Sequence, residues 1–157
     1  MAIGANSYGS VAEVAALTRR YTSGGTYNSG TNPSTTQVEQ FIDRVSATVN
    51  VLLAEQGFTV PVSQADAKLA LDDFVVGQVA LFCHGANGNG IYAPGSEQLR
   101  NTTPMRVVMK EAEGFIGEHA AGIEALGATR TRHLTQGLAC RETDDEGTAI
   151  EPMFVRD

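Results

Sequence analysis

The sequence predicts an all-α protein, a small bundle of about four helices with an extended C-terminal arm. Two observations carry this prediction. Apolar residues recur at the three- and four-residue spacings of a helix in four segments before residue 126. After Leu126-Gly127 that periodicity stops, and the final stretch RETDDEGTAIEPMFVRD shows none. We therefore expect an N-terminal arm over residues 1–9, a helical domain over 10–126 and an extended arm over 127–157.

The first helix is predicted over about residues 11–20. Ser10 and Glu13 have the capping-box spacing, in which each side chain satisfies the other's backbone N–H. The apolar residues that follow at helical spacing are Val11, Val14 and Leu17. The next stretch, YTSGGTYNSGTNP, is rich in glycine, serine and asparagine and predicts an exposed loop.

The second helix has the clearest pattern in the chain. Ser34 or Thr35 can cap its start, and Gly57 stands where a helix ends in left-handed geometry. Its apolar stripe comprises Val38, Phe41, Ile42, Val45, Val49, Leu52 and Leu53. We predict that this stripe packs against a core shared with Phe74, Phe82, Phe115 and Ile116 of the later helices.

The third and fourth helices are predicted from different signals. Pro61 blocks an early start of the third, Ser63 can cap it, and residues 74–83 are apolar nearly all round, which predicts a central helix. The fourth has Pro104 at its first position, where the missing N–H costs nothing. Its glycines, each about 1 kcal/mol worse than alanine in a helix, would allow close packing or a bend. They are Gly114 and Gly117.

Length and charge exclude several classes of protein. The 157 residues suffice for one domain with a buried core, and 18 acidic against 11 basic residues give a net charge of −7. That balance argues against general affinity for phosphate backbones. The N-terminus MAIGANSYGS predicts no secretion signal, and no run of eighteen apolar residues predicts a membrane span. Cys83 and Cys140 are expected to be reduced and unpaired.

No motif predicts a catalytic residue, a cofactor or a metal. Residues 88–93, GNGIYA, fit the letters of a dinucleotide fingerprint, but a predicted helix precedes them and Pro94-Gly95 follows, so we interpret them as a loop. No phosphate-binding loop and no G-x-S-x-G nucleophile motif occurs. The carboxylate pairs on the helices have spacings that point them to different sides. They are Asp72-Asp73 and Glu111/Glu113.

The cysteines and histidines lack the paired short spacings of zinc ligands. Cys83 falls in an apolar helix, where a thiol packs as a small hydrophobe. His119 falls on the stripe of the fourth helix, which favours a hydrogen-bonded core or interface histidine over a ligand. His84, His133 and Cys140 complete the set.

Two basic clusters stand out in an acidic chain. Arg19-Arg20 ends the first helix, where the helix dipole favours cations without any further function. Arg130, Arg132 and His133 lie outside any predicted helix and precede an acidic run. A charge-segregated segment of this kind is either solvated and disordered or docks on a partner, and the charge pattern alone favours neither.

The order of three segments resembles the head–tail connector adaptors of tailed bacteriophages, which assemble under the portal ring, and similar gene-transfer-agent proteins. The segments are SVAEVAALTRRY, NPSTTQVEQFIDRVSATVNVLLAEQGFTVPV and an alanine-rich apolar helix, and they cover about residues 10–84. The residues that carry the resemblance are Val11, Val14, Leu17, Thr18, Pro33, Val38, Phe41, Ile42, Asp43, Ser46, Val49 and Gly57-Phe58. They are packing and capping residues, without a catalytic signature.

The resemblance implies a four-helix structural protein of the virion, without enzymatic activity, that is assembled in the bacterial host cytoplasm. It would form a ring of identical subunits, usually a dodecamer, at the head–tail interface. Its C-terminal arm would bind the portal protein, and its far face would receive a stopper or tail-completion protein. DNA would pass through the channel without specific binding. The loop GANGNGIYAPGSEQLRN at residues 85–101 departs from the family pattern and maps to no known family role. The DNA channel, a neighbouring subunit and solvent are the three alternatives for what it faces.

The arm residues that the resemblance marks as candidates for portal binding are Arg130, Arg132, His133, Arg141, Ile150, Met153, Phe154 and Val155. An extended arm could add a strand to a sheet edge of the portal, with alternate side chains in pockets. Two rivals stay open. A tail-completion or stopper protein would bind tail-tube protein and not portal, and a small helical DNA-binding regulator would need a basic recognition helix.

Overall fold

The computed structural model describes residues 3–86 and 104–130, with residues 104 and 105 described by their backbone alone. The helices are α1 (Val11–Leu17), α2 (Thr35–Glu55), α3 (Ala65–Ala86) and α4 (Pro104–Ala125), with a single 3-10 turn at Arg19–Tyr21. Within this part of the chain, strand-like pairing is confined to isolated bridges. The predicted all-α class is confirmed, and the predicted arm after residue 130 lies outside the described residues.

The helices α2 and α3 each pack against the other three helices. Only 33% of the most apolar window of α3 is buried, so within the described residues α3 is not the covered central helix that its composition predicts. Near the start of α2, Phe41 stacks on Phe82 near the end of α3, with ring centroids 5.5 Å apart, so the two helices are antiparallel. A second stack joins Phe74 of α3 to Phe115 of α4 at 4.7 Å. The α2 and α4 helices run in parallel, because their C-terminal ends meet at the Phe58–Arg130 bridge. By length and composition α3 could cross a membrane, a test that core helices of soluble proteins also pass.

The capping box at Ser34 explains where α2 begins. The hydroxyl of Ser34 accepts from the backbone N–H of Gln37 at 3.4 Å, and Gln37 Oε1 accepts from the N–H of Ser34 at 2.9 Å. The predicted core residues that are buried are Val38, Ile42, Val45, Val49, Leu52, Leu53 and Ile116. The four phenylalanines of the two stacks are half-buried and pack against that core.

The structure differs from the sequence prediction at several helical positions. The helix α1 ends at Leu17, because Thr18 leaves helical geometry and its hydroxyl donates to the carbonyl of Val14 at 2.6 Å. Leu17, predicted on the core stripe, is 61% exposed. The helix α3 begins at Ala65, two residues after the predicted cap at Ser63. His119 is exposed against the edge of the Phe115 ring, so it is not a core histidine.

The helical glycines of α4 do not serve close packing within the described chain. A Cβ added at Gly114 or Gly117 would meet no atom within 4 Å. These two positions therefore lie on an open face of the helix, and the glycine at each lowers helix stability by about 1 kcal/mol relative to alanine without a packing gain inside the bundle.

The segment predicted as an N-terminal arm is instead part of the bundle, and Tyr8 holds it there. Tyr8 is 1% exposed. Its backbone N–H donates to Ser46 Oγ at 2.9 Å, its hydroxyl donates to Asn50 Oδ1 at 2.8 Å, and the same hydroxyl accepts from the N–H of Val62 at 2.9 Å. The prediction missed this because an aromatic residue in a glycine-rich segment shows no periodicity.

Two aspartates fix the residues around Tyr8. Asp43 Oδ1 accepts from the N–H of Gly4 at 2.9 Å and from the hydroxyl of Ser7 at 2.7 Å. Asp72 Oδ1 accepts from the N–H of Gly9 at 2.7 Å. Residues 3–9 therefore close over the groove between α2 and α3.

Candidate functional site

The helices α2 and α4 end in the same way, and this end places the start of the C-terminal segment. At α2, the N–H groups of Gly57 and Phe58 donate to the carbonyls of Ala54 and Leu53 at 2.9 and 3.0 Å. At α4, those of Gly127 and Ala128 donate to Glu124 and Ile123 at 2.9 and 3.3 Å. Both are Schellman motifs.

Glycine is required at the same position of both motifs. Gly57 has φ 83° and Gly127 has φ 93°, the left-handed region that side chains disfavour. The residue after each glycine turns inward, since Phe58 is 4% and Ala128 is 3% exposed. The chain then pairs across the two helix ends, where the N–H of Thr59 donates to the carbonyl of Thr129 at 2.8 Å.

Arg130 locks this junction. Its Nε donates to the carbonyl of Gln56 at 2.7 Å, and its Nη1 lies 3.4 Å from Glu124 Oε2. Its guanidinium also covers the ring of Phe58 at 5.2 Å from the centroid. The carbonyl of Gln56 lies at the C-terminal end of α2, where the last carbonyls have no partner within the helix and a cation is favoured. We call residues 127–130 the anchor.

The anchor moves the boundary of the predicted arm. Residues 127–130 belong to the bundle, so only residues after Arg130 can extend from it. Arg130, predicted to bind a partner, uses its guanidinium within the chain. The other predicted arm residues lie outside the described part of the chain, so the structure neither gathers nor separates them. They are Arg132, His133, Arg141, Ile150, Met153, Phe154 and Val155.

We expect Arg130→Ala to lower the free energy of unfolding by about 1 kcal/mol. This loss corresponds to the charge-assisted hydrogen bond to the carbonyl of Gln56. The ion pair with Glu124 contributes little, because the Glu124 side chain is 36% exposed and solvent screens the attraction. Urea denaturation followed by circular dichroism measures it. Arg44→Ala, an exposed arginine on α2, is the matched control and should change stability by less than about 0.5 kcal/mol. An equal loss in both variants would contradict the anchoring role.

A second polar group connects the 3-10 turn after α1 to the last turn of α3. Arg20 Nη2 and the Tyr21 hydroxyl each lie 2.9 Å from His84 Nδ1. A guanidinium can only donate, so Nδ1 is the acceptor in its contact with Arg20. The guanidinium also lies 4.7 Å from the centroid of the Tyr21 ring. This basic and aromatic group lies at the opposite end of the bundle from the anchor.

Cys83 and Tyr27 are buried beside this group. Cys83 is 0% exposed, as expected for a thiol that packs as a small hydrophobe. The hydroxyl of Tyr27 lies 2.5 Å from that of Thr18. Because the single hydrogen of Thr18 goes to the carbonyl of Val14, Tyr27 donates to Thr18. Cys83, Tyr27 and Thr18 thus fill the part of the core next to the C-terminal end of α1.

Alkaline pH should weaken the fold. Burial raises the pKa of the Cys83 thiol and of the Tyr8 and Tyr27 hydroxyls. The folded state therefore favours the neutral form of each group. The resulting stabilisation is complete below the ordinary pKa, about 8.5 for the thiol and about 10 for the tyrosines, and it is lost as the pH rises above these values. The urea concentration at the midpoint of unfolding should decrease as the pH is raised from about 7.5 to about 10.5.

Thiol labelling of a folded Cys140→Ser variant, in which Cys83 is the remaining cysteine, tests the burial of Cys83. Rapid labelling would contradict that burial.

Among the described residues, no group of three or more cysteine, histidine or carboxylate side chains could hold a metal ion. His133 and Cys140, the other candidates, lie outside this part of the chain. Comparison of the sequence with protein-family models gives no match, and comparisons with curated proteins and with solved structures give none either.

Proposed function

We propose that the protein is a structural virion protein, a head–tail connector adaptor that forms a ring under the portal, links the capsid to the tail and lines the DNA exit channel. The observation that carries the proposal is the anchor, which fixes on the helical bundle the position of Arg130, from which residues 131–157 continue. In this proposal residues 131–157 bind the portal protein, and the far face of the bundle receives a stopper or tail-completion protein. The ring carries out no catalysis and needs no cofactor.

The residues of the resemblance support the proposal through their contacts. Most of its apolar members, such as Val14, Val38 and Ile42, lie in the core, whereas Leu17 is exposed. Its polar members each make a bond that fixes a segment: Thr18 ends α1, and Asp43 and Ser46 hold residues 4–8. A family that shared this bundle would keep these polar residues for the same physical reason, since a buried polar group must be paired.

The charge of the bundle suits a channel wall. Two of its basic side chains are already paired with carboxylates, Lys68 with Asp72 and Arg130 with Glu124. The outward carboxylates of α4 stay exposed, among them Glu111, Glu113 and Glu118. Repeated around a ring, such a surface repels the phosphate backbone and lets DNA pass without holding it. The same charges disfavour the DNA-binding regulator.

Binding assays separate the proposal from its rivals. Immobilised chain should retain portal protein of the virus that encodes it and should not retain the tail-tube protein. Retention of tail-tube protein alone would favour the tail-completion or stopper function. A gel-shift assay with duplex DNA should show no complex even at low salt, where a phosphate-binding protein binds most tightly. A salt-sensitive complex would favour the regulator.

A further inference from the structure

The outer face of α3 carries two leucines that the other described residues leave about half exposed. Leu69 and Leu81 are 57% and 46% exposed. Asp73 and Gly77 lie between them at four-residue intervals on the same face of the helix. We call these four residues the α3 strip, which is ~18 Å long at the helical rise per residue. Although α3 is the most apolar of the three long helices, only 33% of its most apolar window is buried.

Gly77 at the centre of this strip has no packing partner within the described chain. A Cβ at this position would meet no atom within 4 Å. Glycine in the middle of a helix weakens it relative to alanine. The backbone at Gly77 is therefore open to close approach by another surface, between two exposed leucines that would gain from being covered.

A second exposed surface, a groove, lies beside α1. A groove of about 590 Å³ separates the outer face of this helix from the following turn. Small residues make up most of its lining, which consists of Ala12, Ala16, Arg19, Thr22, Gly24 and Gly25. Leu17, also in α1, is 61% exposed. We call this surface the α1 groove.

The two surfaces carry opposite charges that are unused within the described chain. Asp73 on the α3 strip and Arg19 in the α1 groove are both exposed, and neither takes part in the ion pairs formed among the described residues. The α3 strip thus presents a carboxylate between two exposed leucines, and the α1 groove presents a guanidinium among small residues. Opposite charges therefore occur on two different surfaces of one chain.

We propose that the α3 strip of one copy of the chain docks in the α1 groove of a second copy. Gly77 lets the alanines of α1 approach, Asp73 pairs with Arg19, and Leu69 and Leu81 close the edges of the contact. Because the two surfaces differ, the contact is heterologous, and each copy presents a further strip and a further groove. Closure into a ring rests on the proposed function, whereas the contact itself can be tested without the portal.

Sedimentation velocity of the full chain, over a series of protein concentrations, tests this contact. We expect the native chain to form oligomers as the concentration rises. Arg19→Glu and Asp73→Arg should each weaken self-association at least about tenfold, because each places like charges together at the contact. The double variant R19E/D73R restores an opposite pair and should return self-association to the native level. Arg44→Glu and Glu118→Arg, exposed charges outside both surfaces, are the matched controls.

Three outcomes would overturn the proposal: a native chain that stays monomeric at every concentration, single variants that associate as well as the native chain, or a double variant that stays dissociated. Circular dichroism of each variant confirms folding. Portal retention by the same variants keeps the two proposals apart. Self-association with no portal binding would refute the connector function and support the proposed contact. Portal binding by a chain that does not self-associate would refute the contact and support the connector function.

Discussion

Removal of residues 131–157 is expected to abolish retention of the portal protein while leaving the free energy of unfolding within about 0.5 kcal/mol of the full chain. The truncated chain ends at Arg130 and so keeps the hydrogen bonds to Gln56 and the bridge to Phe58. The deleted segment contains the candidate arm residues that lie beyond the anchor. Pull-down assays and urea denaturation measure the two quantities on the same preparation.

Two further truncations sharpen this result. A chain ending at Ala139 keeps Arg132 and His133 but loses the apolar residues from Ile150 onward, and it too should fail to bind portal. A chain ending at Leu126 also lacks the anchor, and its free energy of unfolding should fall by about 2 kcal/mol from the lost burial and hydrogen bonds. If the chain ending at Ala139 binds portal as well as the full chain does, the arm is not the attachment element.

Replacement of Tyr8 by alanine should lower the free energy of unfolding by about 3–5 kcal/mol, the usual cost of removing a buried aromatic side chain. Tyr8 is 1% exposed and its hydroxyl bonds Asn50 and the backbone of Val62. Many domains are stable by only about 5–15 kcal/mol, so this variant could be largely unfolded at ambient temperature.

The Tyr8→Phe variant keeps the ring and tests the hydroxyl alone. It leaves the N–H of Val62 without its acceptor and should cost about 1–3 kcal/mol. Tyr21→Phe, at a half-buried tyrosine on the surface, serves as a control with a smaller expected loss. Urea denaturation followed at the helical circular-dichroism band measures all three variants. A free N-terminal arm, which the sequence pattern predicts, would make Tyr8→Ala nearly neutral.

Periodicity predicted the helices and most of the core, because the apolar stripe of α2 depends only on spacing along one helix. It failed where a single polar contact decides the local geometry. Leu17 matched the stripe of α1, yet the hydroxyl of Thr18 ends the helix and Leu17 stays exposed. The burial of Tyr8 depends on Ser46 and Asn50, which lie far from it in sequence.

The anchor carried a sequence signal that periodicity does not detect. Both LAEQGFT at the end of α2 and IEALGAT at the end of α4 place glycine and threonine two residues apart after an apolar helix. The sequence pattern predicts a helix stop at Gly57, whereas at Gly127 it predicts the start of an arm. The side-chain contacts of Arg130 could not be predicted, because they join two helix ends that are 74 residues apart in sequence.

Electron microscopy of portal rings mixed with the full chain tests the central claim most directly. We predict a second ring of helical bundles beneath the portal that follows the portal's symmetry, with density that runs from the position of Arg130 to the portal surface. Portal rings that remain bare at saturating chain, or a chain that decorates tail tubes instead, would contradict it.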